Sequence, residues 1–246
     1  MRPRKVKGFP LFSYYGSKSK LAPLYDRPRF DTIVEPFAGS AAYSLDGDNW
    51  RKNVVLYDSN PKVAAVWDYL IHATDADIAA LPDVHPGQKV TDFGQLSQAE
   101  RWLIGFNINR GSSMPKVTAS RRSDGLRYRK ALLENHHKVK HWKIFNASYE
   151  TAPNREATWF VDPPYQKNGQ YYYGFADMDY AALGKWCLER LGQVIVCEND
   201  GADWLPFRVL TTFRGSMQSQ VEVVWTQDSP GGGAHSHEPS SASGSA

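Results

Sequence analysis

Short apolar runs alternate with helical patterns in the first third of the chain. Residues 32–34 form a β-branched run that ends at Glu35-Pro36, and residues 54–57 form a second run that ends at Asp58. Ser59 or Asn60 can cap a following helix whose first residue is Pro61. Its apolar positions recur at helical spacing, at Val63, Val66, Trp67 and Leu70. The pattern predicts two strands, with a helix after the second.

The same alternation returns in the last third. Apolar residues 158–161 lead into Asp162, and 193–197 form a further strand-like run. Between them a helix is predicted from the spacing of Leu183, Trp186, Cys187 and Leu191. Residues 207–210 and 221–225 are close enough in sequence to form a hairpin at a sheet edge. Strands that alternate with helices predict an open α/β sheet whose ligand crevice lies at the carboxyl ends of the strands.

The middle of the chain breaks this rhythm. Residues 67–145 are helical in part, at 98–106, and then loop-like and basic through 111–115. We therefore predict an inserted, mainly helical region at 67–145, between the two halves of one domain, 1–66 and 146–227. From Asp228 onward the chain is rich in Gly, Ser and Pro, which predicts a disordered tail at 228–246.

Composition limits the classes of protein that fit. With 246 residues, 41% of them apolar, the chain can build one substantial packed domain. Its apolar stretches are too short and too interrupted by charge to span a bilayer, and no apolar segment follows the basic N-terminus as in a secretory signal. Cys187 and Cys197 are the only cysteines, which favours a reducing cytoplasm over a disulfide framework.

Charge is distributed unevenly. Between Arg101 and Lys143 the chain carries 11 Lys and Arg residues with only Asp124 and Glu134 as acids, a net charge of +9, whereas the rest holds 18 basic and 24 acidic residues. Such a block is expected of a face that binds a polyanion, although a solvated charged surface fits equally well from charge alone.

The string Asp162-Pro163-Pro164-Tyr165 follows a predicted strand and suits a reactive amine. Prolines hold the turn rigid, so the Asp162 carboxylate and the Pro163 carbonyl can each accept one N–H of an amino group and leave its lone pair free. Tyr165 offers a flat face for a base taken out of a duplex. The alternative is a rigid turn with a structural aromatic residue.

This string resembles the catalytic motif of the amino-methyltransferases, and other segments resemble the Dam-like adenine-specific branch. The matching segments, in the family's order over most of residues 9–227, are 14–18 (Tyr-Tyr-Gly-Ser-Lys), 35–41 (Glu-Pro-Phe-Ala-Gly-Ser-Ala) and 57–60 (Tyr-Asp-Ser-Asn). The resemblance implies a Rossmann-like methyltransferase sheet that uses S-adenosylmethionine, with the insertion as its DNA target-recognition region.

The resemblance also implies roles for single residues. Tyr14 and Lys18 would contact the cofactor, Asp58 would bind its ribose, and the loop containing Gly39 would approach its methionine part. The full predicted cofactor set is Tyr14, Lys18, Glu35, Pro36, Phe37, Gly39, Asp58, Ser148 and Asp162. Taken singly, Lys18 could be a surface lysine and Asp58 a helix cap.

Three positions depart from the family pattern. Ser17 and Ser40 stand where glycine is usual, so the backbone would approach the cofactor less closely there. Residues 146–149 replace an Asp-Phe pair that lies beside the cofactor's adenine in the family, which leaves Ser148 or Tyr149 to pack in its place.

The basic insertion supplies the predicted DNA contacts. Arginines and lysines neutralise phosphates, whereas asparagine and arginine suit the edges of adenine and guanine. The predicted DNA-binding residues are Asn107, Asn109, Arg110, Arg121, Arg122, Arg127, Arg129 and Lys130. The histidines lack the ligand spacing of a zinc site, so no metal is expected.

Together these features predict a monomeric, cytoplasmic enzyme of a bacterial or phage-infected cell that methylates adenine N6 in double-stranded DNA. Its partner could be a cognate restriction endonuclease. Three alternatives stay open: methylation of the cytosine N4 amine, an inactive DNA-binding relative, and methylation of RNA or of a protein glutamine. In the last group the first catalytic residue is usually Asn, so Asp162 favours DNA.

Overall fold

The computed structural model describes residues 10–109, 111–121, 125–167, 178–214 and 219–228. Seven strands form one sheet in the order β3-β2-β1-β4-β5-β7-β6. The strands are Thr32–Glu35 (β1), Asn53–Tyr57 (β2), Lys143–Phe145 (β3), Ala157–Val161 (β4), Gly192–Asn199 (β5), Arg208–Arg214 (β6) and Ser219–Asp228 (β7). The helices are Pro61–His72 (α1), Asp75–Ala80 (α2), Gln98–Asn107 (α3), Gly125–Asn135 (α4) and Tyr180–Leu188 (α5).

The sheet is parallel from β3 to β5 and antiparallel at its other edge. β1 pairs with both β2 and β4, whereas β7 runs antiparallel between β5 and β6. From β1 the chain adds β2 and β3 on one side of that strand, and then crosses to its other side, where β4 and the later strands are added. The topological switch point therefore lies between β1 and β4. The predicted Rossmann-like α/β sheet, with an edge hairpin from the last two strands, is confirmed.

Alternate residues of the strands belong to two apolar cores. Ile33, Leu56 and Phe160 belong to a core shared with α1 and α3, whereas Val34 and Trp159 belong to a second core shared with α5. Because the central strands are covered on both faces, β4 is buried at all five positions, which explains its nearly continuous apolar sequence. No helix in the described part of the chain has both the length and the apolar character needed to cross a bilayer.

The predicted bounds of the insertion need correction at both ends. α1 continues to His72, and its apolar face, including Leu70 and Ile71, is buried in the first core. At the other end, Lys143–Phe145 pairs in parallel with β2 and forms the edge strand β3. A strand of three residues with exposed ends has too little pattern to be recognised. Residues 67–72 and 143–145 therefore belong to α1 and β3, and α3, which also lies within the predicted insertion, packs in the first core.

Two smaller bounds also differ from the prediction. α5 ends at Leu188, and Leu191, which was expected on its apolar face, is 47% exposed. Gly192 then turns the chain into β5 with a φ of +94°, a conformation that favours glycine. At the other end of the fold, Asp228 is the last residue of β7 and not the first of a tail, while 229–246 lie outside the described residues.

Candidate active site

A cavity opens at the carboxyl ends of β1, β2 and β4, at the switch point of the sheet. Its walls come from segments 14–18, 37–42, 58–59 and 162–164, together with Glu35 and Phe160. Four segments that are distant in sequence therefore meet at one place, and each contains one of the motifs identified in the sequence. Open α/β sheets bind their ligands at this position.

Asp162, whose side chain is 21% exposed, and the buried Lys18 form an ion pair in the wall of this cavity. The Lys18 Nζ lies 2.7 Å from Asp162 Oδ1 and 3.0 Å from Oδ2, and it also donates to the Gly16 carbonyl. Burial raises the pKa of Asp162, although Lys18 opposes the rise. Burial by itself would lower the pKa of Lys18, but the nearby Asp162, Tyr165 and Glu222 raise it well above its usual value. Lys18 is thus a buried ammonium, 5% exposed, and not a surface lysine.

Asp58 is held by backbone donors directly beside the cavity. Its carboxylate accepts the Gly39 N–H at 2.9 Å through Oδ2 and the Asn60 N–H at 2.9 Å through Oδ1. Burial raises the pKa of Asp58 to about 6, while these two hydrogen bonds act in the opposite direction. The residue that caps α1 is Asn60, whose side chain accepts from the Lys62 N–H, so Asp58 is not the helix cap.

The loop after β1 bends sharply because two residues adopt positive φ. Gly39 and Ala41 both have φ of +45°, and the Gly39 carbonyl accepts the Trp67 indole N–H at 2.8 Å. A Cβ on Gly39 would lie 3.1 Å from the Tyr14 ring, so the ring packs directly on the backbone of the loop. Glycine at this position permits both the bend and the close approach.

Ser17 and Ser40 contact each other. Ser40 Oγ and Ser17 Oγ are 2.8 Å apart, which joins the segment at 14–18 to the loop after β1 across the cavity. Glu35, at the end of β1, also braces this loop, since its carboxylate accepts the Ser44 N–H at 2.8 Å. Burial raises the pKa of Glu35 to about 8 against the effect of the Ser44 hydrogen bonds.

Tyr165 is held by a carboxylate that the sequence pattern did not indicate. Its hydroxyl donates to Glu222 on β7, with distances of 2.9 and 3.0 Å to the two oxygens, and the Tyr25 hydroxyl lies 2.6 Å from one of them. The Lys18 Nζ lies 4.7 Å from the centre of the Tyr165 ring. The only sequence signal was one acid within the apolar run 221–225.

Two further side chains hold the backbone around the motif, and neither was predicted from the sequence. The Tyr180 hydroxyl, on α5, donates to the Pro164 carbonyl at 2.8 Å. Glu198, at the end of β5, accepts the Gln166 N–H at 2.5 Å. Burial raises the pKa of Glu198 to about 7, partly offset by hydrogen bonds from the Gln166 and Asn199 backbones. The turn 162–166 is therefore contacted from β5, β7 and α5.

The remaining predicted cofactor residues have different surroundings. Phe37 lines the cavity and stacks on Tyr149, with ring centres 5.2 Å apart. Ser148 caps a short 3-10 helix, where its hydroxyl oxygen accepts the Glu150 N–H, and it does not belong to the cavity wall described above. Pro36 is buried and lies beside Phe37, also outside that wall.

The predicted DNA-binding residues differ in exposure and in their contacts. Arg121 is exposed and Lys130 has a side chain 79% exposed, so both are accessible to a large ligand. Arg129 has a structural task, since it donates to the Leu81 carbonyl and forms an ion pair with Asp83 at 2.9 Å. Asn107 and Asn109 donate to the carbonyls of Leu103 and Thr118. Arg110, Arg122 and the side chain of Arg127 lie outside what the structure describes.

No group of three or more His, Cys, Asp or Glu side chains is arranged to hold a metal ion in the described ranges. No family model matches the chain, and no curated protein matches it. Among the solved structures that match is "Putative methyltransferase yhhF from Escherichia coli", at 12% identity and a TM-score of 0.34, over 84% of this chain and 80% of that one. A likeness this distant assigns neither a family nor an activity.

Proposed function

We propose that this protein transfers a methyl group from S-adenosylmethionine to the exocyclic N6 amine of adenine in double-stranded DNA. The observation that carries the proposal is the position of Asp162. Its carboxylate follows β4 directly, lies in the wall of the switch-point cavity and is fixed by Lys18 at 2.7 Å. The motif that resembles an amino-methyltransferase turn therefore lies beside a cavity suited to a small ligand.

The residues of the cavity suit S-adenosylmethionine. Asp58 has a carboxylate oriented by the Gly39 and Asn60 N–H groups, as required for binding the two hydroxyls of a ribose. Gly39 lets the Tyr14 ring pack directly on the bent backbone of the loop, and both residues line the cavity. Phe37 presents an aromatic ring at the same wall. When bound, the cofactor supplies an already activated methyl group.

The chain's own residues then hold the acceptor. Asp162 would accept one N–H of the amine and the Pro163 carbonyl the other, since the Pro164 carbonyl is already bonded to Tyr180. The carboxylate would also stabilise the positive charge that develops on nitrogen during attack. Holding the amine in line with the methyl donor is the main part of such catalysis, and it requires no metal.

The proposal includes the partner and the setting. Arg121 and Lys130, both accessible on the basic insertion, would neutralise phosphates of the DNA. The enzyme would act as a monomer in the cytoplasm of a bacterial or phage-infected cell, alone or with a cognate restriction endonuclease. In the latter case it would protect the host DNA from the nuclease.

The proposal is tested by incubating the purified protein with methyl-labelled S-adenosylmethionine and mixed-sequence duplex DNA, with EDTA present. Digestion of the DNA to nucleosides should release labelled N6-methyldeoxyadenosine. Label in N4-methylcytosine would contradict the adenine assignment. Label in RNA or protein supplied to parallel reactions, but not in DNA, would contradict the substrate class.

An Asp162→Asn variant tests the role of the carboxylate. It keeps the shape of the side chain but removes the charge that stabilises the developing cation, so we expect transfer to fall by about 100-fold or more. Binding of S-adenosylhomocysteine, measured by calorimetry, should stay within a few-fold of the wild type. Asp46→Asn, which removes another buried carboxylate paired with Arg27 outside the cavity, is the matched control and should retain activity.

A further inference from the structure

We infer that Glu222, on β7, is a positioning residue for the catalytic turn and acts on it through the hydroxyl of Tyr165. The inference rests on the proposed methyl transfer and adds a residue that lies 57 positions beyond Tyr165 in the sequence. Glu222 does not line the cavity, and its hydrogen bonds go to tyrosines and not to Asp162. Its effect on the reaction therefore has to pass through another side chain.

Glu222 is almost completely buried, yet its carboxylate is satisfied. The residue is 3% exposed, and both of its oxygens lie within 3.0 Å of the Tyr165 hydroxyl. The Tyr25 hydroxyl donates to the same carboxylate at 2.6 Å. Hydrogen bonds to a charged acceptor are shorter and stronger than neutral ones, which fits these distances. Two tyrosines from opposite ends of the domain thus converge on one acid.

A continuous set of contacts leads from Glu222 to the reacting carboxylate. Glu222 holds the Tyr165 hydroxyl, the Tyr165 ring lies 4.7 Å from the Lys18 Nζ, and Lys18 bonds both oxygens of Asp162. The negative charge of Glu222 also attracts Lys18 within the buried site. The orientation of Asp162 therefore depends on a ring whose plane is fixed from β7.

A purely stabilising role does not explain this acid. Its neighbours Val221, Val223 and Val224 continue an apolar strand, and an apolar side chain would avoid the cost of desolvating a carboxylate. Burial of a charge is expensive unless the charge is paired and hydrogen-bonded, so Glu222 depends on its two tyrosine partners. The arrangement instead fixes Tyr165, directly after Pro164, in one orientation.

The test combines Glu222→Leu, Glu222→Gln and Tyr165→Phe with the double variant Glu222→Leu/Tyr165→Phe. For each protein, kcat and KM are measured with duplex DNA, S-adenosylhomocysteine binding is measured by calorimetry, and Tm is measured by thermal unfolding. Asp46→Asn serves as the control for removal of a buried carboxylate away from the cavity.

We expect Glu222→Leu and Tyr165→Phe each to lower kcat by about tenfold to 100-fold, because small displacements of reacting groups have effects of this size. Cofactor binding should change less than about threefold, and the double variant should be no slower than the worse single variant, since both changes break the same hydrogen bond. Glu222→Gln, which can still accept from one tyrosine, should recover part of the rate.

Three results would overturn the inference. They are a kcat for Glu222→Leu like that of Asp46→Asn, additive losses in the double variant, or a loss that appears only in Tm. Should Glu222→Leu fail to fold, Glu222→Gln, Tyr165→Phe and the double variant Glu222→Gln/Tyr165→Phe form the same cycle with a milder change. Wild-type turnover is measured first: its absence contradicts the proposed function, whereas normal turnover by the Glu222 variants contradicts only the role of Glu222.

Discussion

Lys18 lies among several buried acids at the candidate site. Asp162 is bonded to its ammonium, and Glu222 and Glu198 are close enough for the charges to interact. Burial raises the pKa of each of these carboxyl groups, and Lys18 works against the rise in each case. The protonation state of Asp162 is therefore set by one cation as well as by its own burial.

This dependence predicts the effect of Lys18→Met. Without the ammonium the pKa of Asp162 should rise further, so the carboxylate needed for transfer exists only at higher pH. The acidic limb of the plot of kcat against pH should move to higher pH than in the wild type. Lys20→Met, an exposed neighbour, is the matched control and should leave the limb in place. An unshifted limb in Lys18→Met would contradict the electrostatic role.

Asp58 gives a second prediction at this scale, for ligand binding. Burial raises its pKa to about 6, so below that pH the carboxylate becomes protonated and loses acceptor strength toward ribose hydroxyls. The affinity for S-adenosylhomocysteine should therefore fall as pH decreases through 6, by up to about tenfold per pH unit for one proton. Calorimetry between pH 5 and about 7 measures this, and Asp58→Asn should bind weakly with a flat profile.

Among the elements, α3 connects the insertion to the cavity. Phe106, near its end, packs edge-on against Tyr14 with ring centres 5.7 Å apart, and Tyr14 in turn packs on the Gly39 loop. The loop after α3 adds a backbone hydrogen bond, since the Tyr15 N–H donates to the Ser112 carbonyl. Segment 14–18 is thus held between the sheet and the insertion, a relation that its sequence does not reveal.

Gly105 provides a test of this packing. A Cβ there would lie 2.6 Å from the Lys116 carbonyl oxygen, so Gly105→Ala must push the loop away from α3. Overpacking of this kind should lower the free energy of unfolding by about 1–3 kcal/mol, measurable by urea denaturation. Gly94→Ala, at a glycine with nothing within 4 Å, is the control and should change stability by less than about 0.5 kcal/mol. An equal change in the free energy of unfolding for Gly105→Ala and Gly94→Ala would show that the packing between α3 and the loop is not tight.

At the scale of the whole molecule, charge is divided between two regions. The basic segment 101–143 lies within the predicted insertion, while the acids of the cavity lie at the strand ends. Such a division would draw DNA toward the insertion and leave the cavity for a cationic cofactor. This is a property of the assembled fold, in which α4, with its basic residues, packs on α2.

The salt dependence of DNA binding tests this division. Arg121→Ala and Lys130→Ala should each weaken binding and reduce the slope of log affinity against log salt by about 0.9 for every phosphate that is no longer neutralised. Arg51→Ala, an equal change of charge at an exposed position that precedes β2, should leave the slope unchanged. Arg129→Ala should lower stability instead, because Arg129 is engaged with Asp83. Slopes equal to the wild type for both Arg121→Ala and Lys130→Ala would contradict the proposed interface.

The sequence by itself determined the strands other than β3 and the helices α1, α3 and α5, since continuous apolar runs such as 157–161 and capped helices such as α1 are local patterns. It also marked Asp58 and Asp162, which directly follow apolar runs, and Lys18, which belongs to the short motif 14–18. The bounds of β3, the contact between Ser17 and Ser40, and the carboxylate of Glu222 were decided only by the tertiary structure. Each depends on contacts between segments that are distant in the sequence. The burial of the Glu222 charge, for example, is compensated by Tyr25 and Tyr165, and no local pattern encodes these partners.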